Sequence, residues 1–280
     1  MLAYRHQFHA GAIADVFKHA LLAQLVLALE KKDRPFFCLD THAGIGRYDL
    51  EHPWALKNAE HNDGIVLVWR RKDAPQALAP YLDAVRAENA DGKLRYYPGS
   101  PRIVRGLLRE HDRMALTELN KKDCEALAKL FSGDKQVQVR LLDGYQALKA
   151  FLPPAERRGV VFIDSSFDRA REFDRLTRGF AGAYRKFATG VYALWYPLME
   201  PLAMRAFERG IVATGIRRIL QLEISVHNVG WSGYVRGCGF LVANPPFGFE
   251  DTARTILKWL WLALSRKSEG GQQVRWLVPE

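Results

Sequence analysis

The order in which short apolar runs alternate with amphipathic ones limits most sharply the folds open to this chain. Residues 36–40 read Phe-Phe-Cys-Leu-Asp, an apolar run that ends in an acid and passes into Thr41-His42-Ala43-Gly44-Ile45-Gly46. That is a strand entering a glycine-containing turn. From residue 101 the pattern predicts a helix over 101–108, a strand over 114–119, a helix over 122–131, a strand over 137–142, a further helix, and a strand over 159–164. A helix over 171–187, a strand over 190–196 and a helix over 198–209 follow, then strands over 218–225 and 239–244 and a last helix over 251–264. Strands that alternate with helices build a parallel sheet covered on both faces, and two late strands without a long helix between them place an antiparallel edge at its end. The expected fold class is therefore α/β: a Rossmann-like, mostly parallel sheet with an antiparallel edge.

Two segments stand outside that alternation. Residues 12–29 carry apolar side chains around most of a helical circumference, with Ile13, Val16, Phe17, Ala20 and Leu21 at helical spacing, which predicts a largely buried helix ahead of the first strand. Between residues 51 and 99, Pro53, Pro75, Pro80 and Pro98 punctuate short helical stretches, including 64–71 and 76–86. This reads as a small helical subdomain inserted into one domain that spans residues 1–280; no repeat, low-complexity tract or linker divides the chain.

In an open α/β sheet, ligands bind beyond the carboxyl ends of the strands, where the strand order reverses. The acids at strand ends are therefore the residues to weigh. The turn after Asp40 lacks both the G-x-G-x-x-G spacing and a P-loop lysine, which argues against a nicotinamide cofactor. Glu118, near the end of the second sheet strand, is suited to accept both hydroxyls of a ribose, and Asp143-Gly144 after the third to meet an adenine edge. A glycine turn followed by acids after the next two strands is the layout of a site for S-adenosyl-L-methionine. The fourth strand ends in Asp164-Ser165-Ser166-Phe167, where enzymes that methylate amino groups carry an acid or amide, two prolines and an aromatic. The chemistry explains that pattern. An exocyclic amine is a poor nucleophile because its lone pair is delocalised; a carboxylate and the following carbonyl accept its two hydrogens, and the aromatic ring stacks on the base.

Composition adds a polyanionic partner. Lysine and arginine number 41 against 31 aspartates and glutamates, a net charge of +10, which favours nucleic acid, with an ordinary solvated basic surface as the alternative. The longest apolar stretches, 20–29 and 259–264, are far short of a membrane span. Cys38, Cys124 and Cys238 are widely separated and odd in number, so neither a zinc site nor a redox pair is expected. The start, MLAYRHQFHAG, lacks the layout of a signal peptide, and a cytoplasmic location is expected.

At this point the chain resembles the bacterial 23S ribosomal RNA adenine-N6 methyltransferases of the RlmJ family. The resemblance runs end to end. It is carried by Tyr4-Arg5-His6 with Phe8-His9-Ala10-Gly11, Asp15 with Lys18-His19, Leu39-Asp40-Thr41-His42-Ala43-Gly44, and Arg95-Tyr96-Tyr97-Pro98-Gly99-Ser100-Pro101. Further on it is carried by Phe187-Ala188-Thr189-Gly190, Ala193-Leu194-Trp195-Tyr196-Pro197, Ala213-Thr214-Gly215-Ile216-Arg217 and the closing Trp276-Leu277-Val278-Pro279-Glu280.

The resemblance implies that Lys18, His19, His42, Ser100, Glu118, Asp143, Gly144 and Asp164 hold S-adenosyl-L-methionine, that Asp164 with Phe167 carries catalysis without a metal, and that Tyr4 and His6 meet the RNA. It further implies 23S ribosomal RNA, protein-free or early in assembly, as substrate, and a monomer. Plainer roles stand beside these: His19 and His42 as hydrogen-bonded core histidines, Lys18 as a helix-surface charge, Tyr4 and His6 as part of a mobile tail. Arg5, Arg102, Arg105, Arg169 and Arg171 are candidate phosphate contacts, with helix-face solvation the equal alternative for each.

The departure lies at the catalytic motif, where the family's Asp-Pro-Pro-Tyr is Asp164-Ser165-Ser166-Phe167. Two rings that fix backbone φ are lost, so a weakly active or non-catalytic RNA-binding relative is the alternative reading. Asn244-Pro245-Pro246-Phe247 matches the motif by letter but follows a late strand, where a loop ending an edge strand is the expected role. A DNA adenine methyltransferase is disfavoured for want of a segment that would read duplex sequence.

Overall fold

The structure is a computed structural model that describes residues 5–167, 171–227, 236–265 and 269–280. Its strands are β1 (Phe37–Asp40), β2 (Arg47–Asp49), β3 (Tyr96–Pro98), β4 (Arg113–Glu118), β5 (Val137–Leu141), β6 (Gly159–Ile163), β7 (Val191–Leu198), β8 (Ile219–Ser225), β9 (Gly237–Ala243) and β10 (Gly271–Val278). The main sheet has the order β10-β8-β9-β7-β6-β1-β4-β5. Strands β5, β4, β1, β6 and β7 are parallel to one another, whereas β9 runs antiparallel between β7 and β8, and β10 antiparallel along β8.

From β1 the chain moves outward to β4 and β5, then returns to lay β6 and β7 on the other side. The strand order therefore reverses between β1 and β6. Their carboxyl ends splay apart there and leave a crevice.

Both central strands are buried on both faces, which is why they read as continuous apolar runs rather than alternating ones. Cys38, Val160 and Phe162 point into one core, shared with the helices Ile13–Glu30, Ser100–Leu107 and Phe249–Leu264. Leu39, Val161 and Ile163 point into the other, closed by the helices Gly144–Ala150, Glu172–Lys186 and Pro201–Val212. Helix Ile13–Glu30 is buried along most of its circumference, as its apolar pattern requires, yet it carries Asp15, Lys18 and His19 into the interior. Among the described residues, no helix is long and apolar enough to cross a membrane.

Three strands go beyond the expected pattern. β2 and β3 form an antiparallel ribbon at the base of the 51–99 segment, with Tyr48 and Tyr97 paired and buried while Arg47 and Tyr96 face outward. Three residues are too few for a period of two to register in sequence. The third, β10, is an edge strand in which only Val274 is buried, so no apolar run announces it. Helices Pro53–Asn58, Ile65–Val68 and Ala79–Ala87 fill the segment between β2 and β3, and Ile65, Trp69, Tyr81, Leu82 and Val85 join the core of helix Ile13–Glu30.

The docking of that segment passes through one glycine. The Ile65 N–H donates to the Gly11 carbonyl at 2.9 Å, and a β-carbon on Gly64 would lie 2.1 Å from the same oxygen. Backbone cannot yield there as a flexible side chain would, so Gly64→Ala should cost about 1–3 kcal/mol. In a chain of this size that lowers the thermal midpoint by roughly 2–5 °C, measurable by calorimetry; an unchanged midpoint would mean that the two backbones do not meet as described.

Candidate active site

A cavity of about 660 Å³ opens over the carboxyl ends of β1, β4 and β6. It brings together His6, Lys18, His19, His42, Ser100, Glu118, Asp143, Gly144, Asp164 and Phe167, which lie far apart in sequence. Tyr4 lies outside the described residues, as does Arg169.

At its centre is a buried lysine. Lys18 Nζ lies 2.7 Å from Asp164 Oδ2 and 2.9 Å from Asp15 Oδ1, so one ammonium joins the first helix to the loop after β6. The Trp195 ring lies 5.4 Å away on its third side. Asp15 also accepts from the Gly11 N–H at 2.8 Å and lies 3.0 Å from His6 Nε2. Burial would raise the Asp15 carboxyl, but His6 and Lys18 outweigh it and hold the group well below its ordinary value. Lys18 is thus no helix-surface charge. At the next position, His19 is buried with Nδ1 2.8 Å from the Tyr97 hydroxyl, itself 3.2 Å from that of Tyr81. Burial pushes His19 down to about 3, so it stays neutral, and it combines a core hydrogen bond with a place on the cavity wall.

The turn after β1 supplies a second set of groups. The Ser100 hydroxyl donates to Asp40 Oδ2 at 2.6 Å and the His42 N–H to Asp40 Oδ1 at 3.2 Å. The Thr41 hydroxyl donates to the Phe162 carbonyl at 3.0 Å, so it accepts from His42 Nδ1 at 2.8 Å and leaves Nε2 as an acceptor. That ring lies against Gly144, where a β-carbon would come within 2.6 Å of it. Only glycine lets the imidazole sit there. Glu118 accepts from the Gly44 N–H at 3.1 Å and the Asn120 N–H at 2.7 Å, which fixes its carboxylate at the rim.

Asp143 caps the helix Gly144–Ala150 through the Tyr145 and Gln146 N–H groups, at 3.0 and 3.2 Å. Its other oxygen faces Arg175 at 3.4 Å, which in turn reaches Glu172 at 3.1 Å, and Glu172 accepts from the Tyr145 hydroxyl at 2.7 Å. Arg175 and Glu172 line the cavity, and sequence reasoning missed both. So too with Asp15, Thr41 and Trp195, whose residue types and spacings are those of ordinary helices and strands.

The loop after β6 carries Asp164 into the cavity and turns back at Phe167, whose φ of 52° is left-handed. The Phe167 ring packs against Phe173 and Trp195, with centroids 4.8 and 5.9 Å away. The Ser165 hydroxyl is buried beside the Tyr145 phenol without a well-formed hydrogen bond. Asn244 terminates β9 at the far pole, where its amide donates to the Ala188 and Gly190 carbonyls at 2.7 and 2.9 Å and Phe247 is fully exposed. Three arginines expected to meet phosphate are engaged internally: Arg5 with Asp123, Arg102 with Glu88 and Arg105 with Asp134. The three cysteines are free and buried.

Comparison with known proteins decides the family. The profile described as Ribosomal RNA large subunit methyltransferase D, RlmJ, matches residues 33–278. The chain belongs to the RlmJ family. Among its RlmJ relatives, the protein named Ribosomal RNA large subunit methyltransferase J in Escherichia coli is 42% identical over 280 residues, covering 100% of both chains. The protein of the same name in Haemophilus influenzae is 41% identical over 281 residues, again covering 100% of each. A crystal structure from Legionella pneumophila superimposes with a TM-score of 0.89 at 33% identity, covering 96% of this chain and 98% of that one. The Rossmann-like, mostly parallel sheet with its antiparallel edge is thus that of an RlmJ-family methyltransferase.

A pH dependence follows from the site. Burial raises the Asp40 carboxyl to about 7, the Ser100 hydrogen bond opposing it and the nearby Asp164 charge adding to it. An acid raised in the fold adds stability that is complete below its unfolded value, near 4, and is lost as pH climbs through about 7. His19, depressed to about 3, acts in the opposite sense: its contribution is present above the unfolded value near 6.5 and fades as pH falls. Asp40→Asn should therefore remove the declining component and leave an unfolding free energy that rises more steeply between pH 4 and 7. Urea titrations of both proteins across that range check it, and parallel profiles would show that Asp40 titrates normally.

Proposed function

We propose that this chain transfers a methyl group from S-adenosyl-L-methionine to the exocyclic N6 of an adenine in large-subunit (23S) ribosomal RNA. The observation that carries this reading is the position of Asp164: one oxygen is fixed by Lys18, and the side chain stands in the cavity beside an aromatic ring. Membership of a methyltransferase family and the names of the full-length relatives support the substrate class.

The residues present fit the cofactor. A cavity of about 660 Å³ has the size of sites that take nucleotide-scale ligands. Glu118 keeps lone pairs for ribose hydroxyls after accepting its two backbone N–H bonds. Asp143, Gly144 and His42 offer a close-fitting polar wall, with His42 Nε2 an acceptor, while Lys18, His19 and Ser100 stand on the side of β1 and the first helix. Eight carboxylates and three fixed cations line the cavity, a field that favours a cationic ligand. When bound, the cofactor supplies an electrophilic methyl on a sulfonium.

The protein's part is to raise the nucleophilicity of the amine. The Asp164 oxygen not held by Lys18 accepts one N–H, the Ser165 carbonyl accepts the other, and the Phe167 ring stacks on the base, so the nitrogen lone pair turns out of conjugation. Neither proline of the family's motif is needed for these contacts, because a backbone carbonyl and an aromatic ring remain. A recessed carboxylate requires an adenine that is unpaired or flipped out, which favours RNA before assembly buries it. His6 lines the same cavity; Tyr4 keeps an RNA-facing role on sequence resemblance alone.

Asp164→Asn should lower methyl transfer to protein-free large-subunit RNA by about 10²-fold or more, with a smaller loss of cofactor affinity, since one of the carboxylates facing the cation is gone. Labelled-methyl incorporation and calorimetric titration measure the two. Full turnover by the variant would exclude Asp164 from the chemistry, and no transfer by the unaltered protein would favour a non-catalytic RNA binder.

A further inference from the structure

The helix Glu172–Lys186 starts at the cavity and runs away from it along the outside of the sheet. Its inner face, Leu176, Phe180 and Ala183, is buried in the core. Its outer face is basic: Arg171 at the cap, Arg178 and Arg185 are exposed and recur at helical spacing, and Arg175 stands at the rim of the cavity in the same row. Gly182 and Ala181 lie between Arg178 and Arg185, so no bulky side chain blocks close approach. Asp174 is the one exposed acid among this helix's residues, and none of Arg171, Arg178 or Arg185 has a carboxylate partner among the described residues. On the neighbouring helix Pro201–Val212, Arg205 and Arg209 are likewise exposed.

We propose that this face is a track for the RNA backbone, with Arg171, Arg178 and Arg185 contacting successive phosphates of the strand whose adenine enters the cavity. The inference rests on the RNA-methylating reading and adds to it the surface by which the substrate is held. Three features favour a nucleic-acid strand. The arginines are not neutralised internally, unlike Arg5, Arg102 and Arg105. The row spans about 20 Å at 1.5 Å per residue, several phosphates of a single strand. It also joins the cavity through Arg175, so a strand lying on it delivers a base to Asp164 without crossing the acidic interior.

The test is the triple variant Arg171→Gln, Arg178→Gln, Arg185→Gln in the full chain, beside a control with the same charge loss elsewhere: Lys31→Gln, Lys32→Gln, Lys258→Gln, all exposed and outside this helix. Protein-free large-subunit RNA is the probe. For the triple variant, KM for RNA should rise roughly tenfold or more at moderate salt, and the slope of log affinity against log salt should shrink by about 2, three single-strand contacts at about 0.7 each. Cofactor affinity and kcat at saturating RNA should stay at the unaltered protein's values, and the control should keep its KM and salt slope. Unchanged KM and slope in the triple variant, or equal losses in the control, would overturn the track. Direct RNA-binding titrations separate the two proposals: if the unaltered protein binds RNA but transfers no methyl, the catalytic reading falls, while the track stands or falls on whether the triple variant still loses affinity and slope.

Discussion

A single buried ammonium holds the site in register. Lys18 stands between Asp15 and Asp164, 2.9 and 2.7 Å from their oxygens, and so ties a helix that precedes the sheet to a loop that leaves its fourth parallel strand. An ion cluster of this kind is a poor source of stability, since removing three charges from water costs about as much as their attraction returns. Its use is positional. With Asp15 fixed by its own helix and by the Gly11 N–H, the ammonium has little freedom, and Asp164 is held where one oxygen remains available. Trp195 from β7 adds a ring face 5.4 Å from the ammonium.

The other contacts extend that anchoring around the crevice. Asp40, at the end of β1, receives Ser100 from the start of the next helix, so the 51–99 segment is tied to the sheet at its return point as well as through Gly64. His42 rests on Gly144 and thereby sets the spacing between the turns after β1 and β5. Arg175 couples Asp143 to Glu172 and the helix that follows the loop after β6. Each contact links elements that follow different strands, so the cavity's shape is a property of the whole sheet, and the loss of two prolines from one loop leaves its walls in place.

What was legible in the sequence follows from what a linear pattern can encode. Asp40, Glu118 and Asp164 each end an apolar run and Asp143 follows an alternating one, and a parallel sheet sends all such ends to one edge; their convergence was readable without coordinates. Asp15 and Lys18 lie three positions apart on a helix, a spacing shared with countless surface pairs, and only the burial of that helix turns them into an interior cluster. Glu172 and Arg175 have the same ambiguity. Strands β2 and β3 were hidden by their brevity and β10 by its exposure. For Arg5, Arg102 and Arg105 charge alone left the partner undetermined, and carboxylates distant in sequence took them.

The distribution of charge explains how a protein of net charge +10 can contain an acidic active site. Phosphates and a sulfonium make opposite demands, and one uniform field cannot meet both. Carboxylates gathered at the strand ends favour a cationic donor and repel the sugar-phosphate chain, so a neutral base is the part of a nucleic acid that can enter. On the proposed track, Arg171, Arg178 and Arg185 attract the backbone from the outer face of their helix, and of that row only Arg175 reaches the cavity. The partition requires a sheet with a polar crevice on one edge and helices along its faces, and under the proposed function it makes the depth of Asp164 a selectivity device: a strand held outside would reach that carboxylate only by extending a single nucleobase inward.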